Sequence, residues 1–387
     1  MLGMIESPVV FAAILLLVAG VFPAVAARFP ARVFEVLPPI VLSYATSTAL
    51  AMAGCWQPGP GIDAVRGGVL VHLLPALVFL MLVRCDLRAV AALGPRVLVA
   101  AACSTISIVA GVVVSWLLWR SWLPSDGWQV FSSLGATWIG GTANLVAVSR
   151  AINADPDTVS LALVTDTVCY TIWVLVLFGS VPLAERFNRW ANAPSSAVAV
   201  STAVAPAGRF VPADALVWLG GGLLVAAVSA TIADRLPAWG VLTPTSWTLL
   251  LVTAAGCLAG LTPLARLPGS DGVGSALLAL VVVAMASQAS VEGLDRAPAF
   301  VAAGLTILAV HALTMVAAAR LFRLDLAVCG IASLANVGGV GSAPVLAAAH
   351  APSLAPVGVL LGLLGYVVGT PAGLGLAALL PEFFGGP

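Results

Sequence analysis

The sequence contains no lysine; all sixteen basic residues are arginine, matched by sixteen acidic ones. Charged residues make up only 8%, against 61% hydrophobic residues and a mean hydropathy of +1.11. Soluble domains carry about 25% charge, so a soluble globular protein is excluded. With no net charge, nothing points to nucleic acid. The sequence also has no HExxH, GxSxG or GxxxxGK[ST] motif, and only one acid inside a spanning run, so neither a metalloprotease nor an aspartyl dyad is indicated. An enzyme is not expected. The six cysteines (Cys55, Cys85, Cys103, Cys169, Cys257, Cys329) have no paired spacing and read as small packing residues rather than disulfides or metal ligands.

What remains is apolar sequence in long runs. Measured against the ~20 residues that span a bilayer, runs fall at about 8–26, 34–54, 68–85, 97–119, 130–150 and 158–181, and again at 213–233, 246–263, 272–290, 298–319, 326–349 and 356–380. The expected fold is an all-α polytopic membrane protein. Its first repeat covers 1–181, a linker rich in Ala, Ser and Pro covers 182–212, and a second repeat covers 213–387. The run from Pro8 ends in Ala24-Val25-Ala26-Ala27, like a signal peptide. No Lys or Arg precedes it and Glu6 stands in their place, so a retained first helix is expected.

The fifth run of each half is broken in its middle. Ser132–Ser149 reads SSLGATWIGGTANLVAVS, and Ser333–Ala348 reads SLANVGGVGSAPVLAA. Gly140-Gly141 and Gly338-Gly339 are 198 residues apart (140 to 338), about half the chain. Interrupted membrane segments at corresponding places in two halves are a pointer to a transporter's binding site. Backbone exposed at that depth is tolerated only against protein or a water-filled cavity.

Arginine placement gives a topology test. If all twelve runs cross, eight arginines fall on each face. If each broken run is a re-entrant hairpin, Arg28, Arg32, Arg84, Arg88, Arg96, Arg186, Arg189, Arg209, Arg266, Arg320 and Arg323 share a face, against Arg66, Arg120, Arg150, Arg235 and Arg296. The bias favours hairpins. It leaves about five crossings per half, an odd number, so the two repeats are expected to be inverted. Crossing broken helices remain the alternative.

Asp166, in LALVTDTVCYTIWVLVLF, is the one acid inside a spanning helix. A carboxylate there costs about 2.5–3.5 kcal/mol on insertion scales. No arginine is expected inside the membrane to pair with it. The functional reading is a Na+ or H+ site with Thr165 and Thr142; the bland one is a protonated carboxyl held between helices. Gly140, Gly141, Asn144, Asn336, Gly338, Gly339 and Ser342, with Tyr170 and Tyr366, are the candidate solute site, because helix ends at the tips offer free N–H groups to an anion. The alternative for the glycines is close helix packing. That alternative is preferred for Gly358, Gly362, Gly365, Gly369 and Gly373 of the last run. His72 and His311 read as satisfied by a backbone carbonyl rather than as proton relays. Gln288 and Glu292, one turn apart, read as a solvated helix end.

The order WIGGTANLVAVSRAI, a short Asp-Pro loop, then LVTDTV resembles the bacterial and plastid membrane family known as domain of unknown function 819, and the resemblance extends to the C-terminal NVGGVGSAP. That family looks related to ion-coupled carriers that include sodium:glutamate symporters, sodium-citrate carriers, bile-acid symporters and sodium/proton antiporters. The resemblance implies paired glycines at the vertices of re-entrant loops, a bacterial cytoplasmic membrane and a homodimer. Antiporters of that group often carry an acidic pair or Asn-Asp where this chain has Thr165-Asp166, so the acid carries over and its partner does not. The function expected is secondary transport of a small organic, anionic solute coupled to Na+ or H+. The alternatives are a cation/proton antiporter and a non-transporting membrane component.

Overall fold

A computed structural model describes residues 5–29, 34, 39–57, 59–85, 87–193, 209–240, 242–288 and 294–384. Residues 194–208 of the expected linker, together with Arg32 and Glu292, lie outside them. The described residues are helical, with two isolated bridges and no strand. The helices are α1 (Pro8–Arg28), α2 (Pro39–Met52), α3 (Pro60–Leu82), α4 (Pro95–Trp119), α5 (Gly127–Gly140), α6 (Thr142–Ala151), α7 (Pro156–Ser180) and the short α8 (Ala184–Ala191). The second half follows as α9 (Pro212–Ala233), α10 (Pro244–Gly260), α11 (Ser270–Ala286), α12 (Ala297–Phe322), α13 (Leu326–Val337), α14 (Gly339–His350) and α15 (Ala355–Phe384). Seven helices, α1, α3, α4, α7, α9, α12 and α15, are long and apolar enough to cross a membrane. The protein is a polytopic helical membrane protein.

The broken runs fold back on themselves. Ser133 and Ser149 lie sixteen residues apart, about 24 Å along a continuous helix at 1.5 Å per residue, yet their hydroxyls meet at 2.8 Å. Their midpoint in sequence is Gly141. In the second copy, a side chain added at Gly330 would touch Leu346 at 3.5 Å, with Gly338 at the midpoint. Both broken runs are therefore helical hairpins with the glycine pair at the tip. The second glycine of each pair, Gly141 (φ +79) and Gly339 (φ +63), adopts the left-handed backbone that makes the turn and that glycine alone enters without strain.

Helices sort into two bundles by their packing. The first three helices of each half, α1 to α3 and α9 to α11, pack on one another; α4 to α7 and α12 to α15 form the other bundle around the hairpins. Counterpart helices run antiparallel in both. In the hairpin bundle, Ser107 meets His311, Gly111 faces Ile307 and Ser115 bonds the Ala303 carbonyl, so α4 and α12 run in opposite directions. In the other, Arg66 bonds Ser287 (2.9 Å), Gly274 faces Leu80 and Arg84 pairs with Asp271, which orients α3 against α11 in the same way. Tyr44 of α2 bridges the bundles, its hydroxyl 2.7 Å from Ser160 of α7.

Three features differ from the sequence reading. The third helix starts at Pro60, well before the apolar run, because Asp63 neutralises Arg66 one turn on at 2.6 Å. That pairing also puts an arginine inside, contrary to expectation: Arg66 is 6% exposed, held by Asp63 and Ser287 and stacked over the Phe11 ring. The first part of the expected linker is helical, as α8.

Candidate functional site

The last helix of each half covers the hairpin tip of the other half. Tyr366 of α15 lies against Gly141 and Tyr170 of α7 against Gly338, each so close that a methyl group on the glycine would meet the ring at 3.3 and 2.8 Å. The two inner arms, α5 and α13, pack on each other. The first turns of α6 and α14 have no side-chain cap, leaving backbone N–H groups at both tips.

At the first tip the contacts are tight. Asn144 donates to the Gly140 carbonyl at 2.5 Å and accepts from the Thr370 hydroxyl at 2.5 Å. A side chain on Gly140 would collide with Asn144 and with the Gly365 carbonyl, and one on Gly369 would meet Asn144 and Gly140. The small-residue stripe of α15 is thus a packing device, as expected. Gly358 and Gly362 receive Ala343 and Val340 of the second hairpin, and Gly365, Gly369 and Gly373 receive the first. Asn144 is spent on this clamp. Thr142 stands half-buried at the start of α6.

The acid lies one helix away. The Trp138 indole, two residues before Gly140, donates to Asp166 at 2.7 Å. A buried indole N–H in an apolar segment requires an acceptor, which was the signal available for pairing Trp138 with the only intramembrane acid. Thr165 is fully buried and its hydroxyl has no protein partner among the described residues, whereas Thr167 bonds back to the Leu163 carbonyl. Asp166 is half-buried on the same helix as Tyr170.

The second tip is less filled. Ser342 lies against Gly338 with a buried hydroxyl that has no partner among the described residues. Asn336, one turn before this tip, turns away and donates to Thr105 of α4 at 3.2 Å. The expected solute ligands therefore separate. Gly140, Gly141, Asn144 and Tyr366 gather at one tip and Gly338, Gly339, Ser342 and Tyr170 at the other, while Asn336 bonds outside both.

One network falls outside the candidate residues. His311 is fully buried; Ser107 lies 2.6 Å from Nδ1 and Ser333 lies 2.8 Å from Nε2. Trp173 donates to Ser333 at 2.9 Å, and Ser107 donates to the Ser104 carbonyl at 2.7 Å. Each ring nitrogen of His311 thus has a hydroxyl partner that can donate or accept, so the neutral ring is satisfied with its proton on either nitrogen. The chain joins α4, α7, α12 and the second hairpin, and it satisfies His311 through serine hydroxyls rather than the expected backbone carbonyl. His72, by contrast, is exposed within the π-helical turn Val69–Leu73 of α3.

Opposite ends of the molecule differ in character. A cavity of about 390 Å³ gathers Asp126, Asp155, Asp157, Gln288 and Arg296 near the starts of α5, α7 and α12. The described residues hold no cluster of three or more His, Cys, Asp or Glu arranged for a metal ion. No curated protein matches the chain. The family described as "Protein of unknown function (DUF819)" matches residues 12–383, nearly the whole length, and the chain belongs to that family.

Proposed function

We propose that the protein is a secondary active transporter, coupled to Na+ or H+, that moves a small organic, anionic solute by alternating access. The observation that carries this reading is the pair of fold-back hairpins, each with its uncapped glycine tip under a tyrosine from the opposite half. Inverted repeats are supported by the antiparallel packing of counterpart helices. A twofold axis in the membrane plane requires that orientation, and one along the membrane normal forbids it.

Re-entry is supported by the ends brought together. Arg84 pairs with Asp271, two positions that twelve crossings would put on opposite faces. Asp126 and Asp155, which flank the first hairpin, line one cavity. Seven long helices and the shorter α2, α10 and α11 then make the crossings, five per repeat. Cysteines placed at Asp126 and Asn153 in a cysteine-free background should react with an impermeant thiol reagent from the same side of the membrane. Reaction from opposite sides would restore a crossing helix.

In this reading Asp166 binds the coupling cation with Thr165 and Thr142. The solute contacts the tip backbone at Gly140, Gly141, Gly338 and Gly339, with Ser342, Tyr170 and Tyr366. A homodimer in a bacterial cytoplasmic membrane is the expected setting. Exchange of a cation for protons with no organic solute is the second reading, favoured by the engagement of both Asn144 and Asn336 with the protein.

The test is thermal stability in detergent against Na+, with K+ as control, across pH, for wild type and Asp166→Asn. A ligand at 100 times its dissociation constant adds about 2.7 kcal/mol. Stabilisation by Na+ that is absent in the variant supports a cation site and leads to uptake assays with carboxylates and amino acids. A pH response alone, lost in the variant, points to protons. Identical curves for both proteins would sink the coupling role of Asp166 and favour a non-transporting component.

A further inference from the structure

A cavity of about 640 Å³ lies at the end of α12 beside α8, lined by none of the hairpin-tip residues. Leu313, Val316, Ala317, Arg320 and Leu321 line it at the three- and four-residue spacing of one helix face, and Arg323 and Trp190 close its end. The composition changes along its length. Leu313 and Leu321 are more than 70% exposed apolar surface, Val316 and Trp190 are about half exposed, and both guanidinium groups sit at the terminal end.

The charge at that end is unbalanced. Among the described residues no ion pair engages Arg320 or Arg323, and Arg186 and Arg189 add two more exposed cations on α8. The nearby acids are Glu185, exposed on α8, and Asp325, whose carboxylate accepts from the Val328 N–H at 2.8 Å and is engaged in starting α13. Arg323 itself occupies the left-handed backbone at the end of α12 (φ 54), a position that glycine would hold more cheaply. α8 is short and amphipathic, with the Phe187 and Trp190 rings in tilted contact at 5.5 Å, as helices lying along a membrane interface are.

We propose that this groove binds an anionic phospholipid, its phosphate between Arg320 and Arg323 and an acyl chain along Leu313, Val316, Ala317 and Leu321. A basic cleft between helices at one membrane face, continuous with an apolar wall, has the chemistry of a phospholipid rather than of a soluble anion. The site reaches the second hairpin through one bond: Asn188 of α8 accepts the Leu326 N–H, the first residue of α13, at 2.8 Å. Lipid bound against α8 thereby steadies the base of that hairpin. The proposal does not depend on what the protein transports.

The experiment uses the full chain in neutral detergent, with lipid retention read by native mass spectrometry and stability read by thermal unfolding. The probes are phosphatidylglycerol, phosphatidylcholine of the same chain length, and inorganic phosphate. Phosphatidylglycerol should be retained and should raise the unfolding midpoint; phosphatidylcholine and phosphate should do neither. Arg320→Gln with Arg323→Gly should weaken retention about thirty-fold, at roughly 1 kcal/mol per arginine near an anionic headgroup. Because Arg323→Gly relieves the backbone, loss of lipid would not reflect misfolding. Arg209→Gln, on an exposed arginine elsewhere, should leave retention unchanged. Equal retention of both lipids, an equal response to phosphate, or full retention by the double variant would each overturn the proposal.

Discussion

In the first hairpin the outer arm α6 buries eight of its ten residues, whereas in the second the outer arm α14 buries four of twelve, and its Val345 is 57% exposed. The first hairpin is clasped to itself by Ser133 and Ser149 and clamped to α15 through Asn144 and Thr370. Among the described residues, the side-chain hydrogen bonds that tie the second hairpin to other helices come from its inner arm: Ser333 to His311 and Trp173, Asn336 to Thr105, and the Ala332 carbonyl to Ser104. Its outer arm rests on the glycines of α15. Two copies of one sequence plan thus yield a sealed element and an element held on one side. The same asymmetry separates the helices behind them: α7 carries polar ties at Ser160, Asp166 and Trp173, and α15 carries a glycine stripe.

The largest effect should come from the anchor of the second hairpin. His311→Leu removes the ring partner of both Ser107 and Ser333 in the interior, leaving Ser107 only the Ser104 carbonyl and Ser333 only Trp173. A single buried polar group left unpaired costs about 1–3 kcal/mol, so the thermal midpoint should fall sharply. His311→Gln, which can donate and accept, should recover part of the loss. An unchanged midpoint in His311→Leu would mean that the inner arm is held by packing alone.

Next in size is a direct comparison of the tips. Gly140→Ala drives a methyl group into the Gly365 carbonyl, a backbone atom that cannot step aside, while Gly338→Ala meets only the side-chain ends of Ser342, Tyr170 and Leu334. Overpacking typically costs about 1–3 kcal/mol. Gly140→Ala should reach the upper part of that range and Gly338→Ala the lower. Equal losses in thermal unfolding would remove the distinction between a sealed and a loosely filled tip.

The glycine pairs and their 198-residue spacing marked both hairpins, and the arginine count favoured re-entry, because composition and charge placement are written directly in the sequence. The small-residue stripe of α15 was legible for the same reason. Which polar residue meets which was not. Asn144 and Asn336 look equally available in sequence, yet one clamps a tip to α15 and the other bonds α4. Such choices depend on helix rotation, which an all-apolar neighbourhood does not encode. Arg66 escaped because Asp63, one turn earlier, removes the cost that should have kept it outside. His311 is satisfied, but by serine hydroxyls, one of them 204 residues away, rather than by a backbone carbonyl.

Smaller effects follow at the side chains that ought to be equivalent, Asn144 and Ser342, which stand 198 residues apart in the repeat. Asn144→Ala removes two hydrogen bonds, worth about 0.6 kcal/mol each between membrane helices and at most about 1.7, so a modest drop in midpoint is expected. Ser342→Ala removes a buried hydroxyl with no protein partner among the described residues. Burial of an unpaired hydroxyl is itself unfavourable, and the alanine variant should unfold at the wild-type temperature or slightly above it. If Ser342 serves a ligand, the same variant should lose ligand-induced stabilisation while keeping its fold, the reverse of Asn144→Ala, which should lose stability and keep the response. A Ser342→Ala protein with both its stability and its response intact would leave the second tip without a side-chain ligand and confine recognition there to the backbone.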